Sequence, residues 1–379
     1  MISAESFILQ AASKGFDFYS GVPCSYLKPF INYVTGSDQL QYVAAANEGD
    51  AIAIAAGAEL GGKRAVAMMQ NSGLGNAVNP LTSLTYTFSI PILVIVTLRG
   101  EPGGPADEPQ HELMGKITTS MLESMEVPWA YFPTEEDEIA SVLDKAIQHM
   151  DNTGKPFALV MKKGSVEAWP HAAKLPPHAR PAKACEDKPY DAIASRMQML
   201  TTIQESAEET DVVLATTGYT GRELYTVGDQ ANQLYMVGSM GCVVSLGLGL
   251  ALTQTQRRVI AIDGDGALLM RMGALATIAY QQAENLIHIL LDNGVHESTG
   301  AQPTVSKSLD FTAIAAACGY QNVFRVTEPD ELNQLLKTNL AGPTFIHVPT
   351  KPGVADNLPR PNVTPTEVAI RLRNWIKQS

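Results

Sequence analysis

The chain has 379 residues and carries 27 Lys and Arg against 39 Asp and Glu, a formal charge of −12. That balance disfavours nucleic acid, whose phosphate backbone needs a basic face, but leaves a small anionic substrate open, because local charge decides its binding. The length exceeds one ordinary core, and a composition 45% apolar and 17% charged is globular rather than disordered.

The first residues, MISAESFILQAASKGFDF, lack a basic segment ahead of an apolar core, so no secretory signal is expected. No apolar run reads as a membrane span, and the chain is expected to be cytoplasmic, without a membrane partner. ESFILQAASKGF has helical periodicity, RAVAMMQ, IPILVIVTL and PFALVMKK read as buried strands, and EDEIASVLDKAIQHM reads as a helix. Pro170, Pro176, Pro177, Pro181 and Pro189 then crowd one stretch. Proline at that density suits neither a helix nor a central strand, so residues 166–190 are expected to be a linker. It would separate a domain over 1–165 from one over 191–379. In the second half DVVLATTG, RRVIAIDGDG, LIHILLDNG and TFIHVPT read as strands. ALLMRMGALATIAYQQ, DFTAIAAACGY and ELNQLLKTNL read as helices. This alternation predicts α/β architecture: two doubly wound parallel-sheet domains of similar size. No short internal repeat is evident. Cys24, Cys185, Cys242 and Cys318 show no CxxC or CxxH spacing and are expected to be free thiols.

VIAIDGDGALLM, at residues 259–270, ends an apolar run in acids between glycines. It reads as strand VIAID, turn GDGA and a following helix. The next strand, LIHILL, ends in Asp292-Asn293-Gly294. Both strand ends of a βαβ unit lie on one edge of the sheet, so Asp265 and Asn293 can face one crevice. A hard cation such as Mg²⁺ takes oxygen ligands and shares them with phosphate. Gly264 and Gly266 would admit that phosphate, and the helix N-terminus would bind it. The alternative is that Asp265 only caps the helix. A dinucleotide fingerprint is disfavoured because GxGxxG is absent and the turn is acidic.

GDG followed, one helix and one strand later, by an Asn-containing pair resembles the thiamine diphosphate motif. The usual Asn-Asn is Asp292-Asn293 here, a departure that precedes the ligand position. The resemblance implies two domains of the thiamine diphosphate-binding fold, pyrimidine-binding over 1–165 and diphosphate-binding over 191–379. It implies Mg²⁺ held by Asp265, Asn293 and the Val295 carbonyl, with Gly264, Gly266 and Ala267 against the diphosphate. Met240, in VGSMGCVVSLGLGLAL, falls where the family places a bulky apolar residue beneath the thiazolium, or else is plain core. Gly218, Thr220 and Gly221, in TTGYTGRELY, fall near the diphosphate, although a plain strand-to-helix turn has the same look. Glu48, in YVAAANEGDAIAIAAGAELGG, matches the glutamate that hydrogen-bonds the pyrimidine and promotes loss of the thiazolium C2 proton. An acid in a first helical turn is its ordinary alternative. A carboxyl in apolar surroundings shares a proton readily, because burial raises its pKa.

The chain as a whole resembles the phosphonopyruvate decarboxylases, and after them the sulfopyruvate decarboxylases. SGVPCSYLKPFINYV, QNSGLGNAVNPLTSL, RGEPGGPADEPQHELMGKIT and LDNGVHESTGAQPT carry the match. The resemblance implies decarboxylation of 3-phosphonopyruvate to phosphonoacetaldehyde and CO2, within phosphonate and antibiotic biosynthesis. It also implies a homodimer or higher homo-oligomer with active sites between chains. A highly anionic 2-oxoacid needs basic residues, and Lys28, Arg99, Arg222, Arg271 and Lys307 are candidates, each equally readable as solvated surface charge. His111, in the Gly- and Pro-rich loop after the strand IPILVIVTL, is the candidate proton relay or phosphonate ligand, or else a surface histidine. Ser25 is a candidate for hydrogen-bonding substrate or for a turn. Ser298 and Thr299 are candidates for diphosphate or substrate, or for capping a turn. A non-catalytic protein that keeps the cofactor is the alternative from another class, and it would fit a chain lacking Glu48 or GDG.

Overall fold

The computed structural model describes residues 1–170, 191–355 and 357–378. From residue 171 on, the expected linker lies outside the described residues, as does Cys185. The chain forms two compact units, Met1–Pro177 and His178–Ser379. Cys24, Cys242 and Cys318 form no disulfide among the described residues. Among the described residues, no helix is long and apolar enough to cross a membrane.

The first unit is built on six parallel strands: β1 Phe16–Gly21, β2 Gln41–Ala44, β3 Arg64–Gln70, β4 Leu93–Thr97, β5 Trp129–Tyr131 and β6 Phe157–Met161. Their spatial order is β2-β1-β3-β4-β6-β5. Side chains alternate across a strand. Val66 and Met68, Leu93 and Ile95, and Phe157, Leu159 and Met161 therefore share one face. They pack there with Phe7, Phe30 and Phe132, whose ring centroids lie 4.6 to 5.6 Å apart. The helix Glu48–Leu60 is apolar around most of its circumference, as a helix buried on all sides must be, and it packs on β1 and β3.

The second unit has β7 Val212–Ala215, β8 Gln233–Tyr235, β9 Val259–Gly264 and β10 Leu286–Asp292. A small hairpin follows, β11 Val295–His296 with β12 Gln302–Pro303, and then β13 Asn322–Arg325 and β14 Thr344–Pro349. The sheet order is β13-β14-β10-β9-β7-β8. Traced from the β8 edge and counting its own six strands, the order is 2-1-3-4-6-5, the same as in the first unit. The halves thus repeat one topology that no short sequence period announces.

The strands β3, β4, β6, β7, β9, β10 and β14 match the sequence expectations, as does β2 in the apolar stretch YVAAA ahead of Glu48; β1, β5, β8 and β13 were not anticipated. Polar residues break the apolar pattern of FDFYSG and NVFR, and WAY and QLY have only three residues each. One expectation is corrected. GDGA is not a turn: β9 runs through Gly264 and the helix begins at Asp265. That helix stops at Met270 and a second runs from Gly273 to Gln281, so the single expected helix is two. Phe7→Ala is expected to cost about 3–5 kcal/mol in denaturant unfolding, because it opens a void in the aromatic cluster. Leu9→Ala, on the exposed face of the same helix, is expected to change stability by no more than about 0.5 kcal/mol.

Candidate active site

In each unit the strand order reverses beside the first strand, between β1 and β3 and between β7 and β9. Open α/β sheets bind ligands outside the carboxyl ends of strands at such a switch point. In the second unit Gly264 pairs with Leu291 across β9 and β10, which sets Asp265 level with Asp292 and beside Asn293. Gly264 holds the N-cap position without a side-chain cap, and Asp265 is the first helical residue. Asp265 is buried and accepts the Thr304 hydroxyl. Burial raises its carboxyl above the usual range, and the Asp292 charge adds to that rise. Asp292 accepts the Gly294 N–H at 3.1 Å and pairs with His347 Nε2 at 3.0 Å. Asn293 Oδ1 accepts the Val295 N–H at 3.1 Å, folding the chain back into the β11–β12 hairpin.

The other segments of this unit converge on the same edge. After β7, Gly218 has φ +91° and caps the helix Tyr219–Val227, whose first turn holds Thr220 and Gly221. A side chain at Gly218 would touch Ser298 Oγ at 3.6 Å. Met240 stands between Ser239 at φ +55° and Gly241 at φ +88°. A non-glycine residue in the left-handed region marks backbone held against its preference, a feature common at functional sites. A Cβ on Gly241 would lie 2.9 Å from the Ala267 carbonyl oxygen, so this turn seats directly on the Asp265 helix. A Cβ on Gly266 would lie 2.4 Å from the His296 ring and 3.2 Å from the Met240 methyl. His296, unremarked in the sequence, therefore shares the crevice with Met240. Arg271 lies against Gly241, and Lys307 against Gly294. Thr299 bonds Gln302 and the His296 carbonyl instead. Arg222 is occupied: it donates to the Pro359 and Leu358 carbonyls and stacks on Tyr219.

In the first unit Glu48 is the first residue of its helix, after Asn47, whose side chain accepts the Gly49 N–H at 2.8 Å. Its carboxylate is half-buried and meets Asn76 Nδ2 at 2.8 Å, so the apolar surroundings expected from its segment are corrected to a polar contact. Gly73 presses on it so closely that a Cβ there would lie 2.1 Å from Glu48 Oε1. Arg99 forks onto Asp107, contacts Ser25 Oγ at 3.4 Å and stacks on Tyr26. The fork holds the Asp107 carboxyl well below the usual range. Arg99 is thus partnered, a pairing that the spacing Arg99 to Asp107 did not reveal. Ser25 and Lys28 line a cleft of about 390 Å³ with Lys162, Lys163 and Trp169. His111 is buried beneath Gly100, and its Nδ1 has no hydrogen-bond partner among the described residues.

Comparison with known proteins gives the family. The family model "Thiamine pyrophosphate enzyme, N-terminal TPP binding domain" matches residues 1–119, and its C-terminal TPP binding domain counterpart matches 217–348. Phosphonopyruvate decarboxylase of Streptomyces viridochromogenes is 42% identical over 386 aligned residues, 99% of this chain and 95% of that protein. The chain belongs to the phosphonopyruvate decarboxylase family of thiamine pyrophosphate enzymes. Sulfopyruvate decarboxylase of Methanosarcina acetivorans is more distant, 32% identical over 96% of this chain and 94% of its own. The crystal structure of benzoylformate decarboxylase from Polynucleobacter necessarius superimposes with a TM-score of 0.73 at 14% identity, covering 94% of this chain and all of that one. It shares the fold.

The residues present fit the family's cofactor. Asp265 is a buried carboxylate with no cationic partner among the described residues, an arrangement that a metal ion relieves. Among the described residues no three His, Cys, Asp or Glu side chains form a metal cage. One carboxylate, one amide and one carbonyl suit a cation that completes its shell with phosphate oxygens. Thr216 Oγ1, buried just past the end of β7, has no hydrogen-bond partner among the described residues. The helix N-terminus after Gly218 offers free N–H groups to an anion.

Gly73→Ala is expected to displace the Glu48 carboxylate and lower decarboxylation by about 100-fold, as small misplacements of a reacting group do. Its melting temperature should stay near that of the parent, and steady-state kinetics with a thermal melt check both. Asp107 stabilises its loop above the ordinary carboxylate range, and this contribution is lost as pH falls through its lowered value. Asp107→Asn should therefore lower the melting temperature at neutral pH and matter progressively less in strong acid.

Proposed function

We propose that this family member decarboxylates 3-phosphonopyruvate to phosphonoacetaldehyde and CO2, in phosphonate biosynthesis in the cytoplasm, with thiamine diphosphate and Mg²⁺. The observation that carries the reading is the 42% identity to a phosphonopyruvate decarboxylase along nearly the whole of both chains. When bound, the cofactor supplies the electron sink for loss of CO2.

The protein's residues supply binding, orientation and charge. Asp265, Asn293 and the Val295 carbonyl would hold Mg²⁺. Gly264, Gly266 and Ala267 would let the diphosphate approach, and Gly218, Thr220 and Gly221 would present N–H groups to it. Met240, fixed by its strained turn, would set the cofactor's bend. Glu48 Oε2 is engaged by Asn76, which leaves Oε1 to hold a proton against the pyrimidine ring. Two chains would complete each site, with Glu48 of one facing the diphosphate of the other, so the working form is at least a homodimer.

A substrate with a carboxylate and a phosphonate needs cations and hydrogen-bond donors. Lys28, with Ser25 in the same cleft, would serve that need in the first unit, and Ser298 in the second, whereas Arg99 and Thr299 are engaged by neighbours within the protein. His111 Nδ1, buried and unpartnered, is placed to bind the phosphonate or pass a proton once a ligand opens its surroundings. Sulfopyruvate differs mainly at the P or S end, and the 32% relative makes it the substrate to compare.

The deciding measurement is CO2 release from phosphonopyruvate, sulfopyruvate and pyruvate, with both cofactors and after chelation. Release from phosphonopyruvate is expected to be fastest, to vanish on chelation and return with Mg²⁺. Glu48→Gln is expected to lose at least about 100-fold, the scale of one proton-transfer group. A preference for sulfopyruvate would overturn the substrate, and activity surviving in Glu48→Gln would overturn that residue's role.

A further inference from the structure

Arg196 opens the helix Arg196–Ser206, whose start is fixed by a capping box between Ser195 and Gln198. Its guanidinium meets two carboxylates. Nε and Nη2 donate to the two oxygens of Glu223 at 2.8 Å each, and Nη1 donates to Glu297 Oε2 at 2.5 Å. The three side chains are 7%, 1% and 7% exposed. Glu223 belongs to the helix Tyr219–Val227, which begins at Gly218, Thr220 and Gly221. Glu297 stands two residues after Val295 and one before Ser298. Its other oxygen, Oε1, accepts the Gly353 N–H.

One buried cation thus joins three segments far apart in sequence: the Arg196 helix, the helix facing the diphosphate crevice, and the loop after Asn293. Burial of two acids around one arginine leaves a net negative charge, a poor way to gain stability compared with apolar packing. What the forked guanidinium offers in return is direction, because two parallel N–H···O bonds fix orientation as well as distance.

We propose that Arg196, Glu223 and Glu297 are a positioning triad that holds the Val295–Ser298 loop against the Gly218 helix, so that the Mg²⁺ and diphosphate ligands are set before the cofactor arrives. The proposal rests on the assignment of Asp265, Asn293 and Val295 to the cation. Glu297 accepts two donors with separate oxygens. A glutamine there can accept only one and turns its NH₂ toward the other donor, so Glu297→Gln loosens the loop while leaving the Arg196–Glu223 fork intact.

Calorimetric titration of the full-length apo-protein with thiamine diphosphate in excess Mg²⁺ tests this, beside thermal melts of the apo-protein and kcat at saturating cofactor. Glu297→Gln should bind the pair 10–100-fold more weakly, the effect of losing a support behind a metal ligand. Its apo melting temperature should stay near the parent value, and its kcat should largely recover at saturation. Arg196→Lys keeps the charge, loses the fork and should shift affinity in the same direction. It carries the test if Glu297→Gln does not fold. Parent-like affinity in these variants, with binding abolished in Asp265→Ala, overturns the triad alone. Parent-like affinity in Asp265→Ala overturns the cation site beneath it. A kcat that stays low at saturation also overturns a pure positioning role.

Discussion

The parallel register of β9 and β10 is the constraint on which the second unit's site depends. With Gly264 opposite Leu291, β9 ends at Gly264 and β10 one residue further on at Asp292, which still pairs with Pro349 of β14. Asp265, Asp292 and Asn293 are thereby forced into one small volume at the carboxyl edge. Two acids so close would repel, and the structure treats them differently. Asp292 is hydrogen-bonded within the protein by His347 and the Gly294 N–H. Asp265 keeps only hydroxyl and backbone donors, and burial raises its carboxyl. The acid without an imidazole partner among the described residues is the one suited to an incoming metal.

Around that pair, close backbone approach does what side chains cannot. Gly241 seats the Met240 turn on the Ala267 carbonyl, and Gly266 leaves room for the His296 ring and the Met240 methyl. The same device recurs in the first unit, where Gly73 lies against Glu48 and Gly115 against the Gly100 carbonyl, 1.7 Å from where its Cβ would be. Each contact fixes a functional candidate from behind without a directed bond. The backbone strain at Ser239 belongs to the same economy, since only surrounding packing can hold such a residue in place.

An acidic chain that binds an anion must place its cations locally, and the structure separates the candidates. Arg99 is committed to Asp107 and Arg222 to backbone carbonyls. Lys28, in a cleft with two further lysines, is differently placed. Formal counts of basic residues do not distinguish these cases, because they turn on partners distant in sequence. The Arg196 triad makes the same point for residues that bind nothing directly.

The sequence by itself determined the fold class and the family. Long buried strands such as VIAID and LIHILL and the spacing from GDG to Asp-Asn are local patterns, set by hydrophobic periodicity and short-range backbone chemistry. Glu48 and Asp265 stood out for the same reason, as acids where apolar runs give way to helices. Only the tertiary structure decided that β9 passes straight into a helix, that both units share one strand order, and that Asn76 and Gly73 touch Glu48. Only it joined Asp107 to Arg99, and Glu297 to Arg196. Those facts depend on register, on positive-φ turns and on contacts across the fold, and no local periodicity encodes them.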